Sequence, residues 1–599
     1  MGAMQSFVLQ LRRRNVLRAA AFYAASTWLL VQVATQVFPF FHIAEWVVRW
    51  IVITAVAGFP FAMLLSWFYE WTPQGLQRDS DMLPNAPARQ ATGRKLDQAI
   101  IVVLALAVVA LLVDRLVPHG TPAALPDKSI AVLPLLNESG NPGDDYFSDG
   151  LSEELIAALA QIRGLKVIGR SSSFQFKRNT VDSRTIGTKL GVATLLEGTV
   201  RRQDRRVRIV VELVNAADGR QLWAQTYDRE LDDIFTVQAD IAQSVADALK
   251  GELHPSSRDS RPKHHVPRFE TYDHFLLGLQ LLVRGDATGF PKAVESFRQA
   301  IALDPDYAEA YAYLAMAESF AAESNPEAPD AAAGRRRAMA AAQRAVALDP
   351  QLGSAYAARG YLRAEYDWDW VGALADLRTA VQLDPNNARN QLRYGYVLSA
   401  MGRQREADLA FEKAIEHDPL FPPAWYWLGR TKAAQGDYAG ARRAMQRVLA
   451  INPDFTDATA YLGVLALLEG DAAAARDIFR AVDEPWNLAM AEHDLGESDR
   501  AKRTLDTYIA AHANDAPYPI AQAFAWFGDS DQAFAWLAKA IRARTAGIGD
   551  INRDPLLRDL RRDPRFAVDL QQIGLPPHVP DAQDGSAEVS ARQRREGNP

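Results

Sequence analysis

The sequence predicts a multidomain chain: three N-terminal transmembrane helices, a mixed α/β domain in the middle, and an all-α superhelical solenoid of paired helices. Three observations predict it. Three apolar stretches lie within the first 120 residues, strand and helix patterns are mixed between residues 128 and 252, and one short motif recurs about every 34 residues beyond residue 270.

Bulk properties narrow the function classes. The chain has 599 residues, 48% of them hydrophobic and 23% charged, which is the balance of a folded protein of several domains. A net charge of −7 argues against non-specific nucleic-acid binding, which needs clustered Lys and Arg against phosphates. There is no cysteine, so disulfides, thiolate metal sites and cysteine nucleophiles are excluded. That composition also suits an oxidising compartment.

The apolar stretches run over about residues 16–38, 46–71 and 98–117. A bilayer core of about 30 Å needs about 20 apolar residues in a helix, and each stretch reaches that length. Trp28, Trp46, Trp50, Trp67 and Trp71 fall mostly near their ends, where aromatic side chains meet headgroups. Arg12, Arg13, Arg14 and Arg18 precede the first stretch, and Arg78, Arg89, Arg94 and Lys95 lie between the second and third. Basic flanks stay in the cytoplasm, so the expectation is a bacterial inner-membrane protein with a cytoplasmic N-terminus and periplasmic soluble domains. Glu45 and Arg49, one helical turn apart, read as a snorkelling pair at the membrane edge. A tether follows at residues 121–127.

In the middle region, SIAVLPLL (residues 129–136) is a short apolar run of the kind that forms a buried strand. Ser148 or Asp149 can cap the helix LSEELIAALAQI, and Gly191 can close a second helix. The alternation in VRIVVELV predicts a meander with one buried face, and Asp233 to Leu249 carries apolar residues at helical spacing. The segments SIAVLPLLNESGNPGDDYFSDGLSEELIAALAQIRGLKVIGRSSSFQFK, LGVATLLEGTVRR and GRQLWAQTYDREL resemble the TolB amino-terminal-like domain over nearly all of residues 128–252. That resemblance implies an α/β domain of the kind found in bacterial membrane-anchored regulators and repeat proteins, some of which are labelled adenylate cyclases.

Two charged clusters in this domain invite a chemical reading. Asp144, Asp145 and Asp149 share one Gly/Pro-rich loop, whereas a nucleotide cyclase needs carboxylates from separate strands holding Mg²⁺ against a triphosphate. No phosphate-binding G-x-x-x-x-G-K-[ST] motif occurs. Arg201, Arg202, Arg205, Arg206 and Arg208 form a basic hairpin tip, which reads as a solvated turn balanced in part by Asp204. His264 and His265 lie in a polar linker, residues 253–269, without further ligands at metal spacing.

Beyond the linker, FRQAIALDP, AQRAVALDP, LRTAVQLDP, FEKAIEHDP and MQRVLAINP end at Pro305, Pro350, Pro385, Pro419 and Pro453, at spacings of 45, 35, 34 and 34. An insertion, SNPEAPDAAAG, accounts for the longer interval. Ala293, Ala338, Ala373, Ala407 and Ala441 stand twelve residues before each proline, and Ala475 continues the phase. A small side chain every 34 residues is what two closely crossing helices require, and this period resembles the tetratricopeptide repeat (TPR). The array is expected over residues 270–546, with five clear and about three degenerate units. A C-terminal cap (547–579) and a disordered tail (580–599) follow.

Stacked repeats form a superhelix whose groove takes extended or helical peptides. Repeat phase places Arg389, Tyr396, Tyr426 and Arg430 facing inward and Arg393 at the groove edge, as candidate partner-binding residues. The basic clamp of co-chaperone repeats is only half present, because Ala357 and Tyr361 stand near where Lys and Asn would sit. The function expected is therefore a membrane-anchored protein-interaction scaffold for envelope assembly or signalling, not an enzyme, with no cofactor or metal. Its expected partners are proteins or peptides and the lipid bilayer. The alternatives are a cyclase-related signalling protein and a regulator that acts through a partner.

Overall fold

In the computed structural model the chain falls into two compact units, residues 1–124 and 125–599. The structure describes residues 128–577 apart from 163, 178–180, 250–264, 266, 326–329 and 546, and before them only short pieces between 20 and 78.

In the first unit, strands β1 (Tyr69–Thr72) and β2 (Gly75–Arg78) form an antiparallel hairpin. The Tyr23 hydroxyl donates to the Ala55 carbonyl at 2.8 Å, and its ring meets Phe59 edge-on at 5.7 Å. These observations correct the expectation of three transmembrane helices and of a bilayer contact through them. Among the described residues no helix is long and apolar enough to cross a membrane. The end of the second predicted span, Tyr69 to Trp71, is strand rather than helix. Most of the first two spans, with Glu45 and Arg49, and all of the third lie outside the described residues.

The second unit opens with a six-stranded sheet: β3 (Ser129–Val132), β4 (Leu136–Asn137), β5 (Lys166–Val167), β6 (Thr194–Gln203), β7 (Arg206–Asn215) and β8 (Gln221–Glu230). Its order is β5-β3-β6-β7-β8, with β4 beside β6. β3 pairs in parallel with both β5 and β6, and β6 to β8 form an antiparallel meander. All four residues of β3 are buried, because both sheet faces are covered there. Helices α1 (Asp145–Ala160) and α4 (Ile234–Ala248) pack on one face around Ile130, Leu151, Ile209 and Val237. On the other face are α2 (Arg170–Ser173) and α3 (Ser183–Leu190), with Ala131, Ile168, Ile186 and Leu195. α3 starts on Asp182, which accepts from Thr185 N, and ends on Gly191 at φ 66°, a left-handed cap that lacks a Cβ clash.

Eight helix pairs follow among the described residues. They are α5 (Phe269–Arg284) with α6 (Gly289–Leu303), α7 (Ala308–Ser324) with α8 (Ala331–Leu348), α9 (Gly353–Leu362) with α10 (Trp370–Leu383), and α11 (Ala388–Ala400) with α12 (Gln404–His417). Next come α13 (Pro422–Ala434) with α14 (Tyr438–Ile451), α15 (Thr456–Glu469) with α16 (Ala472–Ala481), α17 (Pro485–Asp494) with α18 (Ser498–His512), and α19 (Pro517–Trp526) with α20 (Ser530–Ala543). The six phased alanines, Ala293 to Ala475, are all fully buried where the paired helices cross. Across five of the crossings a glycine meets a large side chain: a Cβ at Gly395 would stand 2.7 Å from the Phe411 ring. Four of the eight second helices start on a capping aspartate: Asp369, Asp437, Asp471 and Asp529 each accept from a backbone N–H three residues on.

The array is not a separate body hanging from a linker. Tyr272, Phe275 and Phe297 of the first pair share one core with Leu151, Val237 and the sheet. Further along, the turn after α12 returns to the sheet domain, and Leu420 enters the core beneath Ile168 and Phe176.

Candidate protein-binding groove

The first helices of successive pairs, α11, α13, α15, α17 and α19, border a shared groove. The C-terminal segment from Ile548 to Leu575, expected to cap the last hydrophobic face, does more than that. It packs against α20 through Phe566 and Leu570, and it also runs back across the earlier repeats. Arg553 is 1% exposed and lies 4.5 Å from the centres of both the Tyr396 and Trp427 rings. Its Nη1 donates to the Tyr396 carbonyl at 3.0 Å, and its Nη2 pairs with Asp550. Asp550 in turn binds Arg430 Nη2 at 2.8 Å. The Asn552 amide reaches the Ala400 carbonyl, Trp370 Nε1 donates to the Ile573 carbonyl at 2.7 Å, and the Tyr518 hydroxyl donates to Asp554 at 2.8 Å. A Cβ at Gly549 would stand 2.9 Å from the Trp370 ring, so the close approach there needs glycine.

The electrostatics follow from burial. Burial by itself would raise the Asp550 carboxyl, yet Arg430 and Arg553 together hold it below its ordinary value. Glu365 behaves oppositely: burial, with Glu323 and Asp550 nearby, pushes it up to about 7. An arginine between two aromatic faces and a carboxylate is a strong grip when desolvated.

The five candidate residues therefore divide. Tyr396 and Arg430 hold the chain's own C-terminal segment. Tyr426 stacks near Phe455 and lines an open cleft beside that segment. Arg389 is exposed. Arg393 is half-buried, its guanidinium 5.6 Å from the Tyr361 ring; burial and the charge of Arg389 lower its pKa. Sequence reasoning missed Trp427, Asp550 and Arg553. No sequence signal singles out Arg553, because it is one of five arginines interleaved with five aspartates over residues 548–575.

The sheet domain clasps the array at two places. The Tyr146 hydroxyl donates to Asp273 at 2.6 Å, and Arg202 reaches the same carboxylate at 3.0 Å. At the second place Asp418, 3% exposed, accepts from Ser172 N at 2.7 Å, Ser171 N at 3.1 Å and the Ser172 hydroxyl. Gly169 N donates to the His417 carbonyl at 2.7 Å, and Leu420 N donates to Ser172 Oγ at 2.7 Å.

The charged clusters are internally paired. Lys177 binds Asp149 at 2.6 Å and lies 3.6 Å from Asp145, which also accepts from the Asn137 amide at 2.9 Å. Arg201, Arg205, Arg206 and Arg208 pair with Glu138, Asp232, Glu230 and Asp228. His265 pairs with Asp304 at 2.6 Å. Among the described residues no group of three His, Cys, Asp or Glu side chains could hold a metal ion.

The helix pairs and their crossings are those of tetratricopeptide repeats, which imply a protein-interaction scaffold. Residues 388–419, 410–443 and 428–489 match tetratricopeptide-repeat families. The chain is similar to the protein named "Putative adenylate cyclase 3" of Rhizobium meliloti (strain 1021), at 38% identity over 196 residues. That match spans 33% of this chain and 33% of the relative. Among solved structures it is similar to a thermophilic TPR protein of Thermus thermophilus, at 19% identity over 33% of this chain and 99% of that one, with a TM-score of 0.28. It is also similar to Pseudomonas aeruginosa pilF, at 21% identity over 36% of this chain and 94% of that one, with a TM-score of 0.30.

Proposed function

We propose that this chain is a docking scaffold whose groove receives an extended segment of a partner protein, for envelope assembly or signalling. The sheet domain, which resembles the TolB amino-terminal-like domain, is held on the array as a second docking face. The observation that carries this reading is the groove's grip on residues 548–575. Aromatic walls, an ion pair and main-chain hydrogen bonds already hold a peptide-like stretch there, in the manner a partner segment would be held. Arg389, Arg393 and Tyr426, which that segment leaves uncovered, are the proposed contacts for a partner. The cysteine-free composition supports placement in an oxidising compartment such as the periplasm. A reporter fused after Pro599 that is active only outside the cytoplasm tests that placement.

The scaffold reading is tested by placing a photoreactive residue at position 389 or 426 of the full chain in cells. Cross-links to one partner, lost in the Arg389→Glu/Arg393→Glu double variant, are the expected result. Cross-links confined to the chain's own C-terminal segment would sink the reading. A second reading, cyclase-linked signalling, is favoured by the name of the Rhizobium relative. Cyclic nucleotide formed by the purified chain from ATP and Mg²⁺ would establish it in place of a purely binding role.

A further inference from the structure

Beside the C-terminal segment the groove opens into a cleft of about 160 Å³. It is bordered by α13, α15, α17 and α19. Ligand pockets for cofactors or drug-sized molecules run to about 300–1,000 Å³, so this one has room for a single side chain. Its aromatic walls are Tyr426, Tyr461 and Trp486, and its charged groups are Arg430, Asp457, Glu484 and Asp554.

The charges do not cancel. Arg430 is already bound to Asp550 and packed against the Tyr426, Trp427 and Tyr461 rings. Asp554 is taken up by the Tyr518 hydroxyl and the Gln522 amide. Asp457 and Glu484 pair with no basic side chain among the described residues. Burial raises Glu484 to about 7, opposed by the Asn487 amide and reinforced by Asp457.

One buried polar atom in the same lining is also unsatisfied. Asn487 Oδ1 has no hydrogen-bond partner, although Asn487 is only 5% exposed, whereas the Tyr461 hydroxyl is engaged by Arg430. A buried polar atom without a partner is costly, and this amide oxygen can accept from a donor-rich ligand. An open acceptor, two carboxylates without a basic partner and aromatic faces in one small cleft together describe a receptor for an alkyl-tethered cation.

We infer that this cleft binds one basic side chain, lysine or arginine, of the partner segment that lies in the groove. The inference rests on the scaffold reading and adds the chemistry the partner must carry. The aromatic rings flank the alkyl stem, Asp457 and Glu484 meet the charge, and Asn487 Oδ1 accepts one of its hydrogens.

The test uses the purified full chain and four small probes: N-acetyl-lysine amide, N-acetyl-arginine amide, N-acetyl-norleucine amide and cadaverine. Binding is read by saturation-transfer NMR. The lysine or arginine probe is expected to bind with a dissociation constant on the order of 1 mM, while the norleucine probe shows no transfer. Asp457→Asn and Glu484→Gln are each expected to weaken binding about tenfold, with a circular-dichroism melt unchanged from the wild type. Equal binding of norleucine, or no transfer from either cationic amide, overturns the inference. Binding of cadaverine without either amide also overturns it, since that marks a free-amine site. Cationic probes that bind while no protein cross-links to the groove would leave the cleft standing and remove the scaffold. Cross-linking to a partner that persists undiminished in the Asp457→Asn/Glu484→Gln variant would remove the cleft alone.

Discussion

Arg553 shows how much a single buried charge is asked to do. It holds Asp550, the Tyr396 carbonyl and two aromatic faces at once. Arg553→Met leaves Asp550 with Arg430 but strips the buried Tyr396 carbonyl of its donor, so it is expected to cost about 1–3 kcal/mol in urea unfolding. A loss near zero would mean the carbonyl is solvated in solution. Glu365 gives a pH signature of known sign. Its folded value of about 7 lies above the ordinary glutamate value of about 4.3, so the folded state keeps the proton longer. Its contribution to stability therefore falls as pH rises from about 4.3 to about 7 and is flat beyond. Glu365→Gln is expected to remove that slope and raise the melting temperature at pH 8; an unchanged slope would rule out Glu365 as its source. Gly395 is a steric case. Gly395→Ala drives a methyl group into the Phe411 ring and is expected to destabilise by about 1–3 kcal/mol, measured the same way.

At the scale of elements, the segment from Ile548 to Leu575 is the one whose role changed most. Its apolar residues Leu557, Leu560, Phe566 and Leu570 read from sequence as a cover for the last helix pair. The structure also brings Ile548, Asn552 and Arg553 to helices of the fourth and fifth pairs. A chain ending at residue 546 is expected to exchange amide hydrogens faster in α11, α13 and α19. Exchange that speeds up in α20 alone would show that the segment is only an end cap. The repeats themselves were legible element by element. Alanines at crossings are a short-range requirement, and from Ala338 to Ala475 they recur at 34 or 35 residues. The last two pairs were harder because the equivalent alanines, Ala501 and Ala533, are fully or nearly fully buried but lie 26 and 32 residues on from the preceding ones. Shorter helices broke the period without changing the packing.

On the scale of the second unit, the clasp through Asp418 joins two parts that the sequence separates by a polar linker. Asp418→Ala leaves the amides of Ser171 and Ser172 without acceptors at a buried surface, a loss of about 1–3 kcal/mol. Calorimetry of this variant is expected to resolve separate transitions for the sheet domain and the array. A single transition shifted as a whole would show that the core around Tyr272 and Phe275 couples them without Asp418.

The sequence by itself determined the sheet-and-helix pattern of residues 128–248 and the existence and phase of the repeats. Both depend on neighbours within one turn, one hairpin or one helix pair. Of the candidate site, repeat phase named Arg389, Tyr396, Tyr426 and Arg430 as facing inward, but it had no means of naming their partners. Only the tertiary structure decided that Arg553 meets Tyr396 across 157 positions and that Asp418 meets Ser172 across 246. Contacts so distant along the chain leave no spacing in the sequence; they arise because the array turns far enough to bring its end and its middle back onto earlier surfaces.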